Sequence, residues 1–153
     1  MKRLWIALVV VSALALTGSA ATVTLVAGQH FNAGVVYCHA DAETLRIDIV
    51  ASDAWKLVET HVYVGTEAPK KSAPGRFPYK HENLRDTSSD TYKIALDEFD
   101  IACGQVLYVA VHAVVVSEET RDEETAWGDG SYIRTGKNWA MYFTTPVFCE
   151  GPK

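Results

Sequence analysis

Gln105-Val106-Leu107-Tyr108-Val109-Ala110-Val111-His112-Ala113-Val114-Val115-Val116 is the longest run of β-branched and apolar residues beyond the N-terminal segment, and its reading decides the fold. Gly104 precedes it, and Glu118 and Glu119 follow closely, so turn and charge signals bound a strand-forming composition. With a period of two, Leu107, Val109, Val111, Ala113 and Val115 fall on one face, and Tyr108, Ala110, His112 and Val114 on the other. The first set is purely aliphatic; the second carries a phenol and an imidazole. A central strand with one face in a dry core and the other partly covered or wet has this pattern.

The same period extends in both directions. Thr22 to Val26 alternates up to Ala27-Gly28, and Gly34 to Tyr37 makes a second short strand. Between turns at Asp41-Ala42-Glu43 and Ser52-Asp53, Leu45, Ile47 and Ile49 alternate with Arg46, Asp48 and Val50. From Trp55 to Val64, alternation groups Val58, Thr60, Val62 and Val64 with Lys56, against Leu57, Glu59, His61 and Tyr63. Tyr92, Ile94 and Leu96 mark another strand; Trp139, Met141 and Phe143 mark the last, which Pro146 bends or ends. Two long connections remain, Gly65 to Asp90 with Pro69, Pro74 and Pro78, and Ser117 to Asn138 with its acidic residues. Connections of such length are functional or mobile. Seven or eight short strands, with no helical period after the N-terminal segment and no internal repeat, predict an all-β domain. The expected form is a two-sheet antiparallel β-sandwich with Greek-key, immunoglobulin-like connections, and a small closed barrel is the alternative.

Met1-Lys2-Arg3, an apolar segment from Leu4 to Leu16 and the small residues Thr17 to Ala21 form a secretory signal pattern, shorter than a membrane span of roughly 20 residues. Cleavage after Ala20 or Ala21 is expected, leaving residues 21-153 as one domain in a secreted, extracellular or periplasmic protein. The chain carries 14 basic and 19 acidic residues, a net charge of −5; loss of Lys2 and Arg3 takes this to −7. Nucleic acid and anionic membranes are poor partners for such a chain, whereas glycans, surface proteins and cations fit it. For the three cysteines of an exported chain, a disulfide is the default. Cys103 precedes the central strand and Cys149 closes the last one, which favours that pair. Cys38 is then buried, free or paired between molecules. A catalytic thiol is disfavoured, because His39 next to it points to the opposite side of a strand.

Three constellations carry chemistry. Glu59 and His61 on one strand and His112 on the next can approach a single metal ion if the strands are neighbours; the alternative is hydrogen-bonded histidines under a covering loop. Glu118, Glu119, Asp122, Glu123, Glu124 and Asp129 offer oxygen ligands to calcium without the spacing of an EF-hand, and a solvated acidic surface explains them as well. Trp127 and Tyr132, with Asp129, Arg134 or Asn138, can stack on and hydrogen-bond a sugar, as can Tyr79 and His81 in the other loop. Trp139 shares the parity of Met141 and Phe143 and is expected in the core, leaving Trp127 as the better candidate for an exposed platform, with a clamp on its own loop as the equal alternative. No nucleophile elbow, zinc-protease helix, phosphate loop or Cys-x-x-Cys is present.

The segments Thr60-His61-Val62-Tyr63-Val64-Gly65, Phe77-Pro78-Tyr79-Lys80-His81-Glu82, Cys103-Gly104, His112-Ala113-Val114-Val115, Glu124-Thr125-Ala126-Trp127 and Asn138-Trp139-Ala140-Met141-Tyr142-Phe143 resemble a family of secreted microbial β-sandwich domains. The resemblance implies export and a sandwich, and it supplies no catalytic residues; Cys38 departs from that pattern. The expected function is a non-enzymatic structural or interaction module of the cell surface or extracellular matrix. Glycan or calcium binding through the loops is the alternative, and self-assembly through a Thr22 to Val26 edge strand a third.

Overall fold

A computed structural model describes residues 20–136 and 138–149, so the expected signal segment lies, up to residue 19, outside the described residues. The strands are β1 (Ala21–Ala27), β2 (Phe31–Ala40), β3 (Thr44–Ala51), β4 (Trp55–Gly65), β5 (Tyr79–His81), β6 (Ser89–Ala95), β7 (Val106–Ser117), β8 (Glu123–Gly128), β9 (Ser131–Tyr132) and β10 (Met141–Pro146). They form one curled antiparallel sheet along the path β5-β4-β7-β8-β1-β2-β3-β6, with β10 paired to β7 and β9. The curl brings the ends of the path together. Thr87 exchanges backbone hydrogen bonds with Leu57 on β4 at 2.8 and 3.1 Å, while the next residue, Ser88, accepts from the Ala51 amide at the end of β3.

The β7 run sits where its two-faced pattern predicts. It pairs with β4 along almost all its length, and its other flank is shared by β10 at Val106 to Val109 and β8 at His112 to Val116. Leu107, Val109, Val111, Ala113 and Val115 are all 0% exposed and pack with Leu25, Val36, Ile47, Ile49 and Val62 in the main core. Each fully buried aliphatic side chain is worth about 1.5–3 kcal/mol, so this face anchors the sheet. On the opposite face Ala110 lies in a second, smaller cluster with Phe77, Trp127, Ala140 and Met141.

Three expectations change. The β4–β7 pairing slips between Leu57 and Glu59, a bulge at Val58. One extra residue inverts parity, so Leu57 joins the core with Thr60, Val62 and Val64, apart from Glu59, His61 and Tyr63. The acidic loop contains a strand: Glu123 to Gly128 is β8, paired with both β7 and β1. Finally, β1 is an interior strand of the path: it pairs with β2 along its whole length and with β8 at Leu25 to Ala27, which leaves only the start of Thr22 to Val26 without a strand on its second flank.

Cys103 and Cys149 form the expected disulfide, with Cα atoms 4.7 Å apart. The Gly104 amide donates to the Val147 carbonyl and the Val147 amide to Gln105, fastening the segment after β10 to the start of β7. Cys38 is free and buried; burial pushes its thiol up to about 12. Among the described residues no helix is long and apolar enough to cross a membrane.

Candidate functional site

His61 and His112 face each other across β4 and β7, their Nδ1 atoms 3.1 Å apart, and Trp127 stands beside His112 on β8 with its ring edge-on at 4.9 Å. Both imidazoles are buried. A proton on one Nδ1 donates to the other, so the pair is satisfied as two neutral rings. Burial, with the neighbouring His61 adding to it, pushes His112 down to about 3. The proposed metal set of Glu59, His61 and His112 does not converge. His61 turns Nδ1 to His112 and Nε2 outward, 4.0 Å from Glu59 and 3.6 Å from Glu82. Glu123 and Glu124 are successive residues of β8 and point to opposite faces. Among the described residues no three His, Cys, Asp or Glu side chains gather to hold a metal ion.

At the curl, the Thr60 hydroxyl donates to the Asp90 carboxylate and accepts from the Tyr92 phenol at 2.7 Å. Asp90 also accepts from His81 Nδ1 at 2.9 Å, and the His81 ring stacks on Tyr92 with centroids 4.3 Å apart. Burial pushes the Tyr92 phenol up to about 12. The order is hydroxyl, carboxylate, imidazole, so the imidazole does not reach the hydroxyl as a nucleophile's base must. Thr60 is moreover fully buried. Its hydroxyl fastens the sheet and has no access to a substrate. Tyr79 and His81 line a shallow cavity over this network with Thr91, Tyr92 and Lys93.

A groove with recognition chemistry lies at the other end of the outer cluster. The β1–β2 turn closes by a hydrogen bond from the His30 amide to the Ala27 carbonyl, with positive φ at Gly28 (52°) and Gln29 (66°). This is a type I′ hairpin turn, and it projects Gln29 and His30 beyond the sheet. Opposite them, β9 lies against β10, held close by Gly130; a Cβ there would strike the Tyr142 carbonyl. Tyr132 on β9 is 57% exposed. Trp139, just before β10, is half-buried against the outer cluster. Two adjoining cavities of about 360 and 330 Å³ share Gln29, Tyr132 and Trp139; Asn138 lines the first, Asp129 and His30 the second. The groove thus offers two aromatic rings at different depths, with amide and carboxylate groups around them.

Of the two readings of Trp127 the exposed platform fails, and Trp139 is half-buried instead of lying in the core. Trp127, only 3% exposed, pairs with His112 on the covered face and cannot serve as a platform. Trp139 precedes the strand, so the parity of Met141 and Phe143 does not carry to it. Asp129 and Tyr132 line one cavity, while Arg134 is exposed outside both, and Tyr79 and His81 belong to a separate one. Gln29 and His30 were missed; the signal was Ala27-Gly28, read as the end of a strand and not as a turn that presents its side chains. Compared with protein families, curated proteins and solved structures, the chain matches none.

Proposed function

We propose that the protein is an exported, non-enzymatic recognition module that binds carbohydrate in the groove around Tyr132 and Trp139. The observation that carries this reading is the pairing of an exposed Tyr132 with a half-buried Trp139 in two adjoining cavities that share Gln29. Sugar rings present apolar C–H faces and hydroxyl edges, which suit aromatic rings bordered by Gln29, Asn138 and Asp129. Asn138 donates to Ser72 at 2.7 Å, so its orientation is set before any ligand arrives. In fold terms the curled sheet acts as a flattened two-layer sandwich whose rim loops do the recognising. The N-terminal signal pattern and the disulfide support an extracellular setting.

The test is a glycan array followed by calorimetry with the neutral oligosaccharide that binds. Tyr132→Ala is expected to weaken binding at least tenfold, about 1.4 kcal/mol, with the unfolding midpoint unchanged because Tyr132 is exposed. An array on which no neutral saccharide binds, or a hit indifferent to Tyr132→Ala, refutes the proposal. So does saturable turnover of a glycoside, ester or peptide that a single substitution abolishes.

A further inference from the structure

The Pro-rich connection builds a separate cavity of about 370 Å³ on the other flank of the outer cluster. Half-buried Tyr63 and exposed Pro78 form its apolar floor, backed by the buried Pro69 and by buried Phe77, whose ring centroid lies 6.1 Å from that of Tyr63 with the planes tilted by 53°. Lys70, Lys71 and Arg76 stand around that floor. In a chain of net charge −5, the segment from Thr66 to Lys80 holds four cations and a single carboxylate, Glu67. Glu67 is taken up by Lys70 at 3.3 Å, and Lys80 donates to the Gly75 carbonyl. Among the described residues, Lys71 and Arg76 have no ion-pair partner. The framework is formed in advance. The Tyr63 hydroxyl donates to the Glu67 carbonyl at 2.9 Å, and Arg76 ends a 3-10 turn closed by the Phe77 amide on Pro74.

We infer that this cavity binds a hexuronate residue of an acidic polysaccharide, its ring face on Tyr63 and its carboxylate at Lys71 and Arg76. A free phosphate leaves the aromatic floor unused. An acidic peptide presents its carboxylate on a flexible stem with no ring to lay on that floor, whereas a uronate carries a C–H face and a charge on one rigid ring. The acidic remainder of the chain opposes an anion only weakly, since charges beyond about 8 Å are screened at physiological salt. Arg76 suits a carboxylate because its guanidinium meets both oxygens at once. The site uses none of the residues of the Tyr132 groove, and it stands or falls independently of it.

The experiment is a heteronuclear NMR titration of the full chain with trigalacturonate, with its uncharged methyl ester and with benzoate. The acid is expected to shift the amides of Tyr63 and residues 70–77, with binding that weakens as salt rises. The double variant Lys71→Gln/Arg76→Gln is expected to lose about ten- to a hundredfold in affinity, while Tyr132→Ala leaves it unchanged. Both substituted residues are exposed, and an unaltered unfolding midpoint verifies the fold. Equal binding of the methyl ester, indifference of the double variant, or shifts confined to Gln29, Tyr132 and Trp139 overturns the inference. Tighter binding of benzoate than of the uronate overturns the saccharide assignment, and absence of binding by the acid overturns the site.

Discussion

His112 illustrates how one residue's environment becomes a property of the protein. Its imidazole is buried, faces a second imidazole at 3.1 Å, and is held down at about 3 against an ordinary value near 6.5. In the unfolded chain the ring takes a proton as pH falls through about 6.5; in the folded chain it does not until about pH 3. Between those values the unfolded state binds more protons, so stability is fully present above 6.5 and declines as pH drops towards 3. Urea midpoints across that window are expected to fall with acidification. In His112→Gln, which keeps a polar group against His61, the decline is expected to be shallower even if the neutral-pH midpoint is lower. His61, Glu59 and Glu82 are present in both proteins, so the difference between the two profiles isolates His112. Parallel profiles would assign the acid sensitivity to other groups.

At the scale of elements, the device that defines the sheet is its closure at the curl, where Thr60, Asp90, Tyr92 and His81 join β4 to β6. Thr60→Val keeps the shape and removes the hydroxyl, leaving Asp90 and Tyr92 each short of one partner. The expected cost is about 1–3 kcal/mol. Hydrogen exchange locates it: the amides of Leu57, Leu84 and Thr87, which bond across the closure, should lose protection more than those of Val109 and Val111 in β7. Uniform loss of protection would mean that the network does not act locally. None of this closure was legible in the sequence, because Thr60 and Asp90 stand 30 residues apart and no period links them. The β7 strand was legible in full, since a run of aliphatic residues two apart has no other half-buried reading. The bulge at Val58 was hidden because Leu57 and Val58 are both aliphatic, so a slip of one residue leaves no mark on the pattern. β8 was hidden for the converse reason: its Glu123, Glu124 and Thr125 read as loop, and only pairing with Val114 to Val116 makes them strand. The groove suffered the same blindness, with Tyr132 found on composition and Gln29 brought to it only by tertiary folding.

For the molecule as a whole, the Cys103–Cys149 bridge spans a sequence separation of 46 and encloses β7 to β10, and with them the strand that the rest of the sheet is built on. Closing a loop of that length removes about 4 kcal/mol of unfolded-chain entropy in the chain-entropy account, and the stabilisation usually realised is about 2–4 kcal/mol. The segments around the bridge are also joined independently of the sulfur atoms, since Gly104, Gln105 and Val147 are linked through their backbones. Cys103→Ser/Cys149→Ser is therefore expected to fold and to open globally more often. Cys38 reports that opening. It is buried in the main core, and burial pushes its thiol up to about 12, so a thiol reagent reaches it as a thiolate only after the sheet has opened. In both proteins Cys38 is the sole free thiol, one with the bridge intact and the other with serines in its place. When opening is fast compared with labelling, the labelling rate follows the open population, and about 2–4 kcal/mol corresponds to a rise of roughly 30- to 1,000-fold in the double variant. An unchanged rate would show that the bridge does not stabilise the fold, and labelling of the parent as fast as a free peptide thiol would show that Cys38 is not enclosed by the core.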